Sequence, residues 1–263
     1  MHVTAVFNQK GGVGKTTTVQ NFGAVLASNY GRRVLLVDLD AQGNLTDACG
    51  LQPLSLERMI YDVLTGACSF DDAVQHVEDA GNGGTVDILP ANVRLAEAEI
   101  NLVSAYGRES LLKDVLEPLA DRYDYVLIDC PPSLGLLCVN ALVAADGVLV
   151  PVQTEYFAMA GLTLVRRTVE QIQKKLNRHL RIDGVLLTLF DRRKSLHFDV
   201  ASALAEDIWG KHLIAARIGT STKLAEAPSA GVSILAHDAR GKGAQDYAAA
   251  VSCWLQTVSR EEA

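Results

Sequence analysis

The chain has 263 residues, 49% of them hydrophobic and 6% aromatic, with 24 Lys+Arg against 31 Asp+Glu and a formal charge of −7. This much apolar content supports a sizeable core and excludes a disordered chain. No apolar run reaches the ~18 residues of a membrane span, and five cysteines without a CxxC pair exclude a disulfide framework or a zinc site. The cysteines read instead as small buried hydrophobes. The charge is uneven. Residues 1–150 hold 9 Lys+Arg and 19 Asp+Glu, whereas residues 151–263 hold 15 and 12. Such asymmetry can mark a basic face for an acidic partner, although an ordinary solvated surface gives the same count.

The first predicted strand is "VTAVF" (residues 3–7), and the N-terminus enters it with no signal peptide, so a cytosolic protein is expected. It leads into "NQKGGVGKTTT" (8–18) and a helical pattern, "TTTVQNFGAVLA". Further strands are expected at 33–40, 85–90, 123–131, 147–152 and 180–190. Their apolar residues are continuous rather than alternating, so both sheet faces should be covered. Residues 79–85, "DAGNGGT", read as a turn rather than a domain boundary. Residues 157–177 read as a helix with Leu162, Val165, Val169, Ile172 and Leu176 on one stripe. The alternation predicts an α/β fold: one doubly wound, mostly parallel sheet with helices on both faces, in a single P-loop NTPase-type domain over 1–263.

The chemistry starts at the first strand-to-helix turn. Gly11, Gly12, Val13 and Gly14 can turn backbone N–H groups inward around phosphate oxygens, and a helix starting at Lys15 adds its positive end. Lys15 is placed for the β- and γ-phosphates, Thr16 for Mg²⁺ and Thr17 for the α-phosphate. Gln9 stands where the full Walker A pattern has glycine, so the loop is a variant. Asp129 ends the strand "YVLID", the place of a Walker B carboxylate, and Asp38 and Asp40 end "VLLVDLD". Carboxyl ends of parallel strands meet at the ligand crevice, so these acids and the loop converge. One lysine suffices for a phosphate, yet Lys10 adds a second.

"KGGVGKTTT", "VLLVDLDAQGN", "LIDCPPSLG", "VPVQTEYFAMAGL" and "KLAEAPSAG" together resemble the ParA/Soj family of deviant Walker A ATPases, relatives of MinD, over nearly the whole chain. The resemblance implies slow, partner-stimulated hydrolysis of ATP with Mg²⁺. It makes Lys10 the signature lysine, which crosses a nucleotide-sandwich homodimer to the partner's phosphates. It implies that Asp40 positions the attacking water and that Asp38 and Asp129 serve the metal and phosphate-sensing shell. Residues 41–44 and 131–135 are the two switches. Ala41 replaces a usual proline. In "IGTSTK", Gly219 replaces a proline that shapes the adenine pocket and Thr220 replaces an arginine, while Lys223 keeps the second charge.

The family also implies non-specific binding to double-stranded DNA on the nucleoid. Arg193 is the best match for its DNA-binding arginine, flanked by Arg192 and Lys194, with Lys223, Arg217, Arg240 or Lys242 extending the patch. Arg166, Arg167, Lys174 and Lys175 read as a solvated helix face. No aromatic residues interleave with the basic ones in sequence. A ParB-like or cargo-adaptor protein is the expected stimulating partner, and the cargo is a DNA locus or a protein assembly. The alternative is a MinD-like membrane-associated ATPase. That needs a basic amphipathic C-terminal helix, whereas the tail has one arginine and two glutamates and should pack Trp254 and Leu255 inward. Cys130 and Cys138 lack the spacing of an iron–sulfur carrier.

Overall fold

The computed structural model describes residues 1–261. Its strands are β1 (His2–Val6), β2 (Arg33–Asp38), β3 (Gln75–Asp79), β4 (Thr85–Leu89), β5 (Tyr125–Asp129), β6 (Gly147–Gln153), β7 (Arg181–Phe190) and β8 (Leu213–Gly219). They form one sheet in the order β3-β4-β2-β5-β1-β6-β7-β8. Every pairing is parallel except β3 with β4. The helices are α1 (Lys15–Tyr30), α2 (Asn44–Ala48), α3 (Ile60–Leu64), α4 (Phe70–Ala73), α5 (Leu95–Asn101), α6 (Leu111–Leu116), α7 (Leu136–Ala144), α8 (Ala158–Lys175), α9 (Ser195–Glu206), α10 (Thr222–Glu226), α11 (Ile234–His237) and α12 (Lys242–Glu261).

The continuous apolar runs are explained by two cores. Successive strand residues point to opposite faces. In β5, Val126 and Ile128 join the core that includes Leu142 of α7 and Leu162 and Val165 of α8. Leu127 joins the other, with Phe22 and Leu26 of α1 and Trp254 of α12. Trp254 is fully buried against Phe22 and Leu255 is partly buried, as the tail pattern predicts. Of the charged residues of the tail reading, Glu262 lies outside the described residues.

Several sequence expectations are corrected. β3 and β8 have no clear signal, because both are sheet edges: β3 reads "QHVED" and is mostly half-exposed, and β8 mixes buried with exposed positions. Edge strands carry polar residues that prevent pairing with other chains. The expected strand at 33–40 ends at Asp38, where the Asp40 N–H turns back to donate to Asp38 Oδ1. Leu176 leaves the stripe: α8 ends at Lys175, the Leu176 N–H closes onto Ile172 O, and its side chain is exposed. Cys49, Cys130 and Cys138 are buried, but Cys68 and Cys253 are only half-buried.

Candidate nucleotide site and basic face

β1 delivers the chain to the centre of the sheet, and the glycine-rich loop turns there into α1. Gly12 (φ 72°) and Gly14 (φ 84°) adopt the left-handed conformation that side chains disfavour. Gly14 caps α1 without any side-chain hydrogen bond, and the first turn has no acidic residue. The first N–H groups of the helix are thus free of a side-chain acceptor, which suits an anion. Two bonds hold the loop to the sheet: Asn8 Nδ2 donates to Pro151 O at 2.8 Å, and Thr188 Oγ1 donates to Val13 O at 2.8 Å. Val13 therefore faces the core, and only its backbone is available to a ligand.

Lys15 is 92% buried and donates from Nζ to Lys10 O at 3.2 Å. Thr16 Oγ1 donates to Asp129 Oδ2 at 2.6 Å. Asp129 is buried, and its Oδ1 has no partner. Burial pushes this carboxyl up to about 8, helped by nearby Asp38 and opposed by Thr16 and Lys15. An orphaned oxygen beside a threonine hydroxyl fits a hydrated Mg²⁺, whose charge would lower that cost. Among the described residues no group of three or more His, Cys, Asp or Glu gathers as a metal cage. Asp38 has a different setting: its carboxylate accepts from Asp40 N, Thr46 N and Thr46 Oγ1. Burial pushes it up to about 6, the Thr46 bonds opposing. It fastens the 40–46 segment to the end of β2. Asp40 is half-buried and accepts from Gln42 N–H at 3.0 Å.

These groups line or border a cleft of roughly 570 Å³. Gly11, Gly12, Gly14 and Lys15 to Thr17 line it together with Asp40, Gln42 and Asn44. The rest of the lining includes the apolar Leu189, Ile218, Leu224 and Tyr247, with Thr188 and Gly219. Sequence reasoning singled out few of these. Tyr247 lies on α12 and Leu189 at the end of β7, far from the loop in sequence. Leu189 is the one non-glycine residue with positive φ (51°) among the described residues, a backbone cost of about 1–3 kcal/mol that clusters at functional sites.

Lys10 precedes the loop residues that line the cleft and forms an ion pair with Glu155, just beyond β6. Beyond Gly219 lies a second cavity, of about 410 Å³, lined by Arg192, Arg193, Arg217 and Lys242 with Asp191 and Asp246. The structure thus brings together four of the sequence-predicted basic residues from three elements. Lys194 is exposed at the start of α9. Lys223 and Arg240 do not line the cavity, and Lys223 pairs with Glu226 at 2.8 Å. Arg193 donates to both oxygens of Asp191, at 3.0 and 2.9 Å, which holds that carboxyl well below its ordinary range. The absence of interleaved aromatics is corrected in space, because Arg217 lies 4.6 Å above the Phe190 ring. Phe190 is buried, so it steadies the guanidinium rather than offering a stacking platform. On α8, Arg166 pairs with Glu170 at 2.7 Å, as a solvated face would.

A family model described as an AAA domain matches residues 1–182. The chain is 45% identical over 245 residues to the sporulation initiation inhibitor protein Soj of Bacillus subtilis, covering 93% of this chain and 94% of that one. It is 42% identical over 263 residues to the chromosome partitioning protein ParA of Caulobacter vibrioides, covering 99% and 95%. Among solved structures it resembles cobyrinic acid a,c-diamide synthase from Mycobacterium smegmatis with bound ATP analog and magnesium, at TM-score 0.85 and 38% identity over 97% and 94% of the two chains. With the phosphate loop, the parallel sheet and these relatives in agreement, the chain belongs to the ParA/Soj family of P-loop partition ATPases.

Proposed function

We propose that this chain is an ATPase that binds Mg–ATP in the cleft, closes into a sandwich dimer, and positions or segregates a cargo on DNA. The observation that carries the reading is the geometry around Lys15: left-handed glycines, an uncapped helix start, and Thr16 on a buried Asp129 with one oxygen free. The loop N–H groups and Lys15 hold the phosphates, and the apolar lining of the cleft holds the base. Thr16 and Asp129 hold Mg²⁺ and its waters, and the ion supplies charge neutralisation at the phosphates. Asp40 lines the same cleft as the loop and orients water. Asp38 ties the 40–46 segment to β2, so that a change at the phosphates reaches α2.

Lys10 supplies the cation in trans. It is half-exposed, and its acidic partner Glu155 is half-exposed too, so the pair exchanges at small cost. Lys10 is the only candidate cation in trans among the described residues, so turnover is slow, and a ParB-like or cargo-adaptor protein accelerates it. Double-stranded DNA contacts the basic cavity edge through Arg192, Arg193 and Lys194, with Lys223 at the periphery, giving salt-dependent, sequence-independent binding and a nucleoid location. The membrane reading is disfavoured by α12, whose Tyr247, Ala250, Val251 and Trp254 are spent on the core. No helix among the described residues is long and apolar enough to cross a membrane. The Mycobacterium smegmatis structure carries the name of an amide-forming enzyme, but the partition-named relatives are more alike in sequence, 45% and 42% against 38%.

Light scattering with ADP and with ATP, followed by co-sedimentation with DNA and with liposomes, tests the proposal. An ATP-specific dimer that pellets with DNA is expected. A dimer indifferent to nucleotide, or one that pellets with liposomes alone, overturns it.

A further inference from the structure

The end of β8, Ile218 and Gly219, lines the same cleft as the phosphate loop. Gly219 ends the strand. Glycine locks nothing and leaves a donor that must be satisfied when buried. Here the donor is used: Gly219 N–H donates to Asp246 Oδ2 at 3.0 Å. Asp246 is 94% buried on α12, next to Tyr247, which lines the same cleft. Its other oxygen is held by Lys242, one turn earlier on that helix. A Cβ at position 219 would lie 3.3 Å from Asp246 Oδ2, tighter than ordinary contact. The approach of carboxylate to backbone therefore favours glycine on one side and a short acid on the other.

We propose that Asp246 is a positioning residue for the base of the bound nucleotide. By holding the Gly219 N–H, it fixes the end of β8 as a wall of the cleft. It touches no reacting atom, and the inference rests on the reading that the cleft binds an adenine nucleotide. The phosphate loop is held separately, by Asn8 on Pro151 O and Thr188 on Val13 O. Loss of Asp246 should thus weaken contacts to the base and leave contacts to the phosphates intact.

The test is calorimetric titration of the full chain with Mg–ADP and with Mg–pyrophosphate, on wild type, Asp246→Ala, Asp246→Asn and Lys242→Met. Asp246→Ala should weaken ADP about tenfold, as expected for one hydrogen bond to a charged acceptor, and leave pyrophosphate affinity unchanged. Asp246→Asn keeps an acceptor for the Gly219 N–H and should restore most of the ADP affinity. Lys242→Met leaves the Asp246–Gly219 bond in place and should bind ADP like wild type. Equal losses for ADP and pyrophosphate, an Asn variant as weak as Ala, or a Lys242→Met loss matching Asp246→Ala each overturn the inference. Hydrogen exchange at the Gly219 amide of the wild type gives an independent readout should Asp246→Ala not fold: protection supports the bond, and rapid exchange overturns it. If the wild type itself does not bind ADP, the nucleotide reading fails, and that result is distinct from wild-type binding unaffected by the variants.

Discussion

Lys10 and Glu155 are joined by an ion pair within one chain, although they are 145 residues apart and both side chains are 45% exposed. The pair keeps the second lysine of the phosphate loop beside its own chain's acid. Exposed pairs contribute about 0–1 kcal/mol, so Glu155 holds Lys10 without trapping it. Lys10→Ala should bind ATP yet stay monomeric. Glu155→Gln should dimerise with ATP at a concentration up to about fivefold lower than wild type. Sedimentation velocity with a non-hydrolysable ATP analogue reads both, and a Lys10→Ala dimer as strong as wild type would refute the trans role of Lys10.

Lys15→Ala should lose tight ATP binding, because a buried cation at the phosphate loop is removed. Asp40→Ala should bind ATP and dimerise as wild type does, but turn over on the order of a hundredfold more slowly, the scale of a lost water-orienting group. The wild-type rate without a partner should lie far below the ~10 s⁻¹ median of enzymes. Nucleotide titrations and phosphate release in single and multiple turnover separate these effects. A fast rate without any partner would point to a metabolic enzyme.

The nucleotide-free protein should lose stability as pH rises. Burial raises Asp129 from 3.8 to about 8 and Asp38 from 3.8 to about 6. Between these values and 3.8 the folded chain holds protons that the unfolded chain has released. Stability therefore falls from about pH 4 upward, with both groups contributing up to about 6 and Asp129 alone from there, and levels off above about 8. Asp129→Asn should raise the melting temperature at about pH 8 and flatten its pH dependence. A wild-type melting temperature that does not change between about pH 5 and 8 contradicts this.

DNA binding should respond to both members of the Arg193–Asp191 pair. Arg193→Glu should abolish binding to random-sequence duplex and leave ATP-dependent dimerisation intact. Asp191→Asn frees the guanidinium and should strengthen binding. With ~3 phosphate contacts per subunit, a dimer should show a slope of log K against log salt near −5, and a monomer about half of that. A salt series by fluorescence anisotropy checks the slope. Binding unchanged in Arg193→Glu would remove this loop from the interface.

The sequence by itself determined the buried strands, the phosphate loop and the family. These depend on local chemistry: apolar runs must be covered on both faces, and glycines followed by lysine and threonine carry their own backbone preference. It also pointed to Arg192 and Arg193, because a basic run beside a strand end is visible in one window. Only the tertiary structure decided the rest of the site. Thr188, Leu189 and Tyr247 share the cleft with the loop because β7 and α12 bring their ends there. The sheet edges β3 and β8 were illegible because a strand exposed on one side carries mixed residues. The partners of Lys10, Arg193 and Gly219 were equally hidden. A carboxylate announces its charge in sequence but not its neighbour, and Glu155, Asp191 and Asp246 acquire their roles from the packing that decides which donor each one meets.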